Sequence, residues 1–498
     1  MKPPNNAGQL AAEEVEGRDR PAESPQSVAR IRTQSRVVLP SNLARVNERA
    51  RRDKSARFTA LLHHVDQESL ERAFRRLRRS AAPGVDGETV AKYEQDLEAR
   101  LRSLCDRVHR GSYRPWPVRR VHIPKADGGH RALGVPALED KIVQGAVAEV
   151  LSAIYEADFL GLSYGFRPGR SPHGALDALH TALMTQYVSW VLDADIRSFF
   201  DSVDHEWLLR MLAHRIGDRR ILRLIRGWLR AGAMEAKEWR ETKEGTPQGA
   251  GISPLLANVF LHYALDLWVH QARRRNARGR IIFVRYSDDF VMGFQHESEA
   301  RKMLADLRER LAKFGLALHD DKTRLIEFGR FAAERRRRRG EERPPTFAFL
   351  GFTHYCAWSR DGRFVVKRRT DRRRRSRKLH EVRAEMRRRM HTPMAAQQRY
   401  LASVLRGHYA YYGLPSNWHP MEGFHQEVRR IWYRTLYRRS QRRLTWQRFS
   451  ALMLRFPLPT PHITRPRQTP SARFGSAAGG AECGKAACSD PWGRKPNG

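Results

Sequence analysis

The chain has 498 residues, enough to bury a sizeable core and to form two or more domains. It carries 93 Lys+Arg against 54 Asp+Glu, a net charge of +39. Such an excess repels itself unless a polyanion is near, so nucleic acid is the expected partner and an anionic membrane surface the rival. No apolar stretch is long enough to span a bilayer, and Met1 to Gln26 has no apolar core like that of a secretory signal. The four cysteines, Cys105, Cys356, Cys483 and Cys488, are too scattered for a disulfide framework, which fits a reducing cytoplasm. Cys483 and Cys488 have no second ligand pair beside them for zinc.

Residues 1–55 are polar, mixed in charge and poor in aromatics, and are expected to be disordered or loosely helical. From Phe58 to Leu104 apolar residues such as Leu61, Val65, Leu70, Phe74 and Leu77 recur near helical spacing, with arginines between them. Val121 and Ile123, then Leu133 and Val135, flank the turn Ala126-Asp127-Gly128-Gly129, which predicts a hairpin. Asp140 to Tyr155 reads as an amphipathic helix, and Trp190 to Ile196 as a strand ending on acid. Asp204 is placed to cap the next helix. Leu255 to Leu267 is a further apolar helix. Ala300 to Phe314 predicts a helix, with a strand through Leu316 and Leu318 after it. The arginine run Arg335–Arg339 is expected to be a loop, and Phe347–Phe352 and Phe364–Val366 to be strands. From Asp371 the chain reads as arginine-rich helix, and from Pro457 as a disordered tail rich in Pro, Gly, Ser and Ala.

Four segments could carry chemistry. Ile281-Ile282-Phe283-Val284 and Phe290-Val291-Met292 predict strands joined through Tyr286-Ser287-Asp288-Asp289, which puts paired carboxylates at or beside a hairpin tip. They repel each other unless a cation lies between them, and Mg²⁺ suits such a place because it takes carboxylate and phosphate oxygens together. The second segment is the acidic strand end, Asp193 and Asp195, with Asp201 beyond it; read alone, these three are equally well surface or capping residues. The third is the loop Glu244 to Pro254, whose Gly249 and Gly251 let backbone approach a ligand closely; read alone it is a simple turn into a helix. The fourth is Lys125 with Arg131 across the hairpin turn, a pair that could grip a triphosphate or be two solvated surface charges.

Taken together and in this order, the segments resemble bacterial group II intron reverse transcriptase/maturases, from about Phe58 to Pro466. The motifs that carry the likeness are Gly84-Val85-Asp86-Gly87, Ile123-Pro124-Lys125 to Gly134-Val135-Pro136, Ser163 to Ser171, the Asp195 strand, Thr246-Pro247-Gln248-Gly249, the Tyr286 hairpin, Asp321-Lys322-Thr323 and Phe349-Leu350-Gly351-Phe352. The resemblance implies an α+β right-hand polymerase: fingers and palm over residues 56–368, with an antiparallel sheet in the palm, and a helical thumb/maturase domain over 369–456. It implies RNA-directed DNA synthesis in the bacterial cytoplasm, with two Mg²⁺ ions for which Mn²⁺ can substitute. Partners would be dNTPs, an RNA template, a DNA primer or target, and intron RNA.

By the same resemblance Asp195 and Asp288 are metal ligands, with Ile196 in the same metal site, and Asp289 is the third catalytic acid. Lys125 and Arg131 match the triphosphate-gripping pair, Gln248 a nucleotide-contacting loop residue, Phe200 the aromatic that excludes a ribose 2′-hydroxyl, and Lys322 a residue near primer or nucleotide. Asp193 and Asp201 match no ligand and keep their surface or capping reading. Arg372, Arg373, Arg374, Arg375, Arg377 and Lys378 are the expected RNA contacts. Ser287 stands where most of the family has Ala. No C-terminal pattern of paired cysteines and histidines is present, which matches the endonuclease-free branch. A splicing-only RNA-binding protein with a dead polymerase site, or a reverse transcriptase serving defence, are the rival readings. The three aspartates argue against the first, and the long basic C-terminal part against the second.

Overall fold

The computed structural model describes residues 40–124, 130–235, 238–240, 245, 251–275, 278–342, 344–439 and 444–464. Helices α1 (Ser41–Arg52), α2 (Gln67–Arg75), α3 (Val90–Glu94) and α4 (Leu97–Arg110) come first. The hairpin β1 (Val118–Pro124) and β2 (His130–Val135) leads into α5 (Leu138–Asp158) and α6 (Pro172–Thr185). Then follow β3 (Trp190–Asp195), α7 (His205–Arg215), α8 (Arg219–Arg230), β4 (Ala233–Glu235), β5 (Glu238–Arg240), α9 (Ser253–Leu261) and, after a π-turn over His262–Asp266, α10 (Leu267–Arg275). β6 (Ile281–Tyr286), β7 (Asp289–Phe294), α11 (Glu297–Ala312), β8 (Arg324–Glu327) and α12 (Arg330–Arg338) complete the central part. Strands β9 (Phe347–Phe349), β10 (Phe352–Trp358) and β11 (Phe364–Thr370) precede the helices α13 (Arg372–Arg388), α14 (Met394–Tyr412), α15 (Trp418–Arg439) and α16 (Trp446–Arg455).

The central sheet runs β6-β7-β3-β8, with every neighbouring pair antiparallel. Side chains alternate across it, so each face feeds a different core. One face sends Leu192, Ala194, Phe290 and Met292 into a large core shared with α5, α9 and α11. The other sends Val191, Val284, Val291 and Ile326 against α6 and the β9–β11 sheet. A third core, with Val382, Leu405, Val428 and Trp432, is built by the C-terminal helices alone. The β1–β2 hairpin belongs to a separate sheet in which β1 also meets β4 in parallel.

Four sequence expectations need correction. Part of the N-terminal stretch expected to be disordered or loosely helical is the packed helix α1, held because Leu43 and Ala50 are buried and the Asn47 amide donates to the Ala153 carbonyl of α5 at 2.7 Å. The arginine run is helical rather than a loop. Glu327 on β8 draws in Arg335 (3.1 Å) and Arg339 (3.0 Å), while Ala332 and Ala333 are buried beneath. Leu316 and Leu318 form no strand; only an isolated bridge joins Leu318 to Ile196, because Gly315 turns the chain with φ 73° just before it. Finally, residues 457–464 of the expected tail lie along α14. The Tyr409 hydroxyl donates to Pro459 O (3.2 Å) and the Gln398 amide to Pro457 O (2.7 Å). Cys483 and Cys488 lie outside the described residues.

Candidate active site

β6 and β7 pair from Ile281 with Phe294 to Tyr286 with Asp289, so the chain reverses across Ser287 and Asp288 alone. A two-residue hairpin of right-handed twist calls for positive φ at its first central residue, and Ser287 supplies φ 60°. β3 lies on the other side of β7, with Asp195 directly opposite Asp289. Alternation then puts Asp193, Asp195 and Asp289 on one face, the face whose Val191 and Val291 enter the second core. The carboxylates stand where that apolar surface stops.

Their electrostatics follow from this crowding. Burial first, then the charges of Asp193, Asp288 and Asp195, push the Asp289 carboxyl up to about 8, against a weaker pull from the Arg374 guanidinium. Burial also raises Asp193 to about 6, opposed by Arg324 at 3.4 Å. The Lys322 ammonium contacts Asp195 Oδ2 at 2.8 Å. Like charges gathered this closely favour cations, and Lys322 on Asp195 and Arg324 on Asp193 answer them here. Among the described residues no group of three or more His, Cys, Asp or Glu side chains converges as a set that could hold a metal ion.

A buried network backs the turn. Arg285, fully buried, donates through Nε and Nη2 to the two oxygens of Asp266 at 2.7 and 2.6 Å. Its Nη1 reaches Asn258 Oδ1 (3.1 Å) and the Ser287 carbonyl (2.8 Å). The Asn258 amide in turn donates to the Gly165 carbonyl at 2.7 Å. Gly165 lies against the turn itself: a Cβ built there would come within 2.3 Å of the Ser287 nitrogen. Asp266 is the last residue of the π-turn, which interrupts the α-helical register between α9 and α10. Sequence reasoning missed Asn258, Asp266 and Arg285, although an arginine inside the apolar strand Ile281 to Tyr286 is a visible signal that a partner must be buried with it.

The remaining candidates are spread around this centre. Lys125 and Gln248 lie outside the described residues. Arg131 sits in β2 opposite Ile123. Phe200 lies half-buried in a 3₁₀ turn five residues past Asp195, its ring edge-on to Phe199 at 5.4 Å. Gly245 packs against this turn: its nitrogen donates to Val203 O at 2.8 Å, and a Cβ on it would meet Phe200 O at 2.8 Å. The Ile196 side chain is buried, and the residues on either side of it hydrogen-bond Ala317 and His319 through their backbones. On α13, Arg372, Arg373, Arg374, Arg377 and Lys378 are exposed and Arg375 is half-buried; Lys378 and Arg377 lean toward Glu381 at 3.1 and 3.8 Å. A cavity of about 270 Å³ opens at the opposite end of β6, lined by His270, Arg273 and Arg280 and touching none of the aspartates.

Asp195 and Asp289 thus face each other on neighbouring antiparallel strands, with Asp288 in the turn beside them. The family described as reverse transcriptase (RNA-dependent DNA polymerase) matches residues 123–354. Protein YkfC of Escherichia coli is 34% identical over 335 residues, spanning 58% of this chain and 87% of that protein. The group II intron-encoded protein LtrA of Lactococcus lactis is 38% identical over 179 residues, 36% of this chain but 29% of LtrA. Nuclear intron maturase 1 of Arabidopsis thaliana is 28% identical over 116 residues, covering 23% of this chain and 16% of its own. The chain belongs to the group II intron reverse transcriptase/maturase family, a family of RNA-directed DNA polymerases. No helix among the described residues is long and apolar enough to cross a membrane.

Proposed function

We propose that the chain extends a DNA primer with dNTPs on an RNA template and also assists a group II intron in splicing and mobility. The observation that carries the first part is the register of Asp195 opposite Asp289, with Asp288 in the turn between β6 and β7. In this reading the sheet β6-β7-β3-β8 is the palm, the part before it supplies the fingers, and α13–α16 form the thumb. Asp195 and Asp288 would hold divalent metal, with Ile196 in the same site, and Asp289 would be the supporting acid. The mutual repulsion of the aspartates and the lysine already seated on Asp195 fit a cation there. When bound, a pair of Mg²⁺ ions supplies charge neutralisation at the attacking primer hydroxyl and at the departing pyrophosphate.

The chain's own residues position the reactants, which is most of what phosphoryl transfer requires. Lys125 and Arg131 grip the triphosphate, Gln248 contacts the nucleotide, and Lys322 swings from Asp195 to substrate phosphate. Phe200 closes the sugar pocket against a 2′-hydroxyl. Gly245, three residues before Gln248 in sequence, packs on the Phe200 turn, which supports a joint role of the two segments at the nucleotide.

The RNA part rests on α13. Its first turn holds Arg372 to Arg374, exposed and without an acid among them, while the Asp371 carboxylate caps the helix end itself by accepting from the Arg374 nitrogen at 3.0 Å. That arrangement suits phosphates of intron RNA or of the template–primer helix. The decisive experiment is primer extension on an RNA template with Mg²⁺, by the full chain and by D195N and D288N. Extension by the full chain, and a loss of a thousandfold or more in each variant with RNA binding intact, is expected. Variants that extend normally would remove the metal assignment.

A further inference from the structure

Among the described residues four non-glycine residues have backbone in the left-handed region: Phe166, Ser198, Ser287 and Leu350. Ser287 is in the catalytic turn, and Ser198 follows the Asp195 strand by three residues. Phe166 is the bulkiest residue of these near the aspartates and the hardest to explain by folding. It has φ 56° and is 46% exposed. A bulky side chain in that conformation is a genuine outlier, and with nearly half its surface exposed the ring recovers only part of its burial energy.

Its flanks are fixed. Gly165 packs on the Ser287 backbone and its carbonyl is held by Asn258. Arg167 is buried, bonded to Glu156 and to the carbonyls of Leu160 and Ser163. Between these two anchors only Phe166 points outward, its ring 6.2 Å from that of Tyr286, the residue before Ser287. The fold therefore spends conformational strain to hold an uncharged ring in solvent beside the carboxylates.

We propose that Phe166 is a nucleic-acid contact: its ring packs against the sugars and base edges of the primer–template duplex at the primer's reacting end. This deepens the polymerase reading and rests on it. The primer 3′-hydroxyl must reach Asp195 and Asp288, which brings the terminal nucleotides over the Tyr286 hairpin and so over Phe166. An RNA–DNA duplex of A-like form offers there a wide, shallow minor groove that a ring can line. Because the contact carries no charge, it differs from every arginine contact in its response to salt.

The test compares the full chain with F166G, F166N and F166Y. Gly and Asn tolerate left-handed backbone, so neither lowers the urea midpoint. Both weaken duplex binding, read by fluorescence anisotropy without dNTPs, by about tenfold, and by the same factor at low and high salt. KM for primer–template rises in parallel while kcat changes little, and F166Y restores both. Unchanged affinity in F166G and F166N overturns the proposal, and so does a lowered urea midpoint in both, which would make the ring structural. If the unmodified chain failed to extend any primer, the polymerase reading would fall instead; the anisotropy measurement would still decide Phe166.

Discussion

Gly165 shows how one missing side chain can govern the site. The Ser287 nitrogen lies 2.3 Å from where its Cβ would be, and the three nearest atoms are all backbone of Tyr286 and Ser287 that cannot step aside. G165A is expected to displace the turn and lower kcat for primer extension by a hundredfold or more, while far-UV circular dichroism stays that of the parent. Phe200 offers a finer test: F200A should admit ribonucleotides, read as a fall in the ratio of deoxy- to ribonucleotide kcat/KM. At this scale the sequence was informative where chemistry is local. Paired aspartates between two apolar runs announce a hairpin tip. Asp193 was read as a surface or capping residue; strand alternation alone puts it on one face with Asp195, but only the register, a three-dimensional fact, puts Asp289 there too. The Lys322–Asp195 contact spans 127 positions, a distance no local pattern reports.

Elements show the same division. The helices α5, α7 and α11 and the strands β3, β6 and β7 follow from apolar periodicity, within a few residues of expectation. The arginine run, expected as a loop, did not, because Glu327, on a strand reached only through the fold, pairs with Arg335 and Arg339 and helps to hold the helix. The π-turn was equally hidden, since its purpose is the placement of Asp266 against Arg285. That pair is wholly buried, so removing one partner strands a charge. D266A should lower the free energy of unfolding by about 3–5 kcal/mol, measured by urea denaturation. R285K keeps the charge but loses the fork that reaches Asp266, Asn258 and Ser287 together. It should lower kcat more than KM, because the turn loses its brace while the groups that hold substrate stay in place.

For the whole molecule, the charge of +39 calls for a polyanion, and α13 is the proposed place of contact. R372Q/R373Q should weaken RNA binding across sequences. It should also flatten the slope of log affinity against log salt by about 2, near 0.7–0.9 for each phosphate left unneutralised. Burial elsewhere leaves a pH signature. Asp140, beneath the β1–β2 hairpin, accepts from the Tyr113 hydroxyl and the Trp116 nitrogen (3.0 Å), yet burial raises it to about 6. Unfolded, it loses its proton near 3.8. Between these values the folded chain keeps a proton that the unfolded chain releases, so this group's contribution to stability falls as pH rises from about 4 to about 6. D140N cannot titrate. The stability of the parent relative to D140N should therefore drop by about 2–3 kcal/mol across that window, with no further change above it.

The Lys322–Asp195 contact bears on how such an enzyme survives chelation. A pair this exposed is worth about 1 kcal/mol or less, so it is easily displaced, yet it keeps Asp195 from facing the neighbouring acids without a counterion. Protein stripped with EDTA and dialysed should keep its near-ultraviolet spectrum and melt within a few degrees of the untreated sample, then regain full extension on return of Mg²⁺. K322M should lose that tolerance: stripped, it should melt earlier and recover less. The lysine would then act as a placeholder, letting the protein be stored metal-free without ageing.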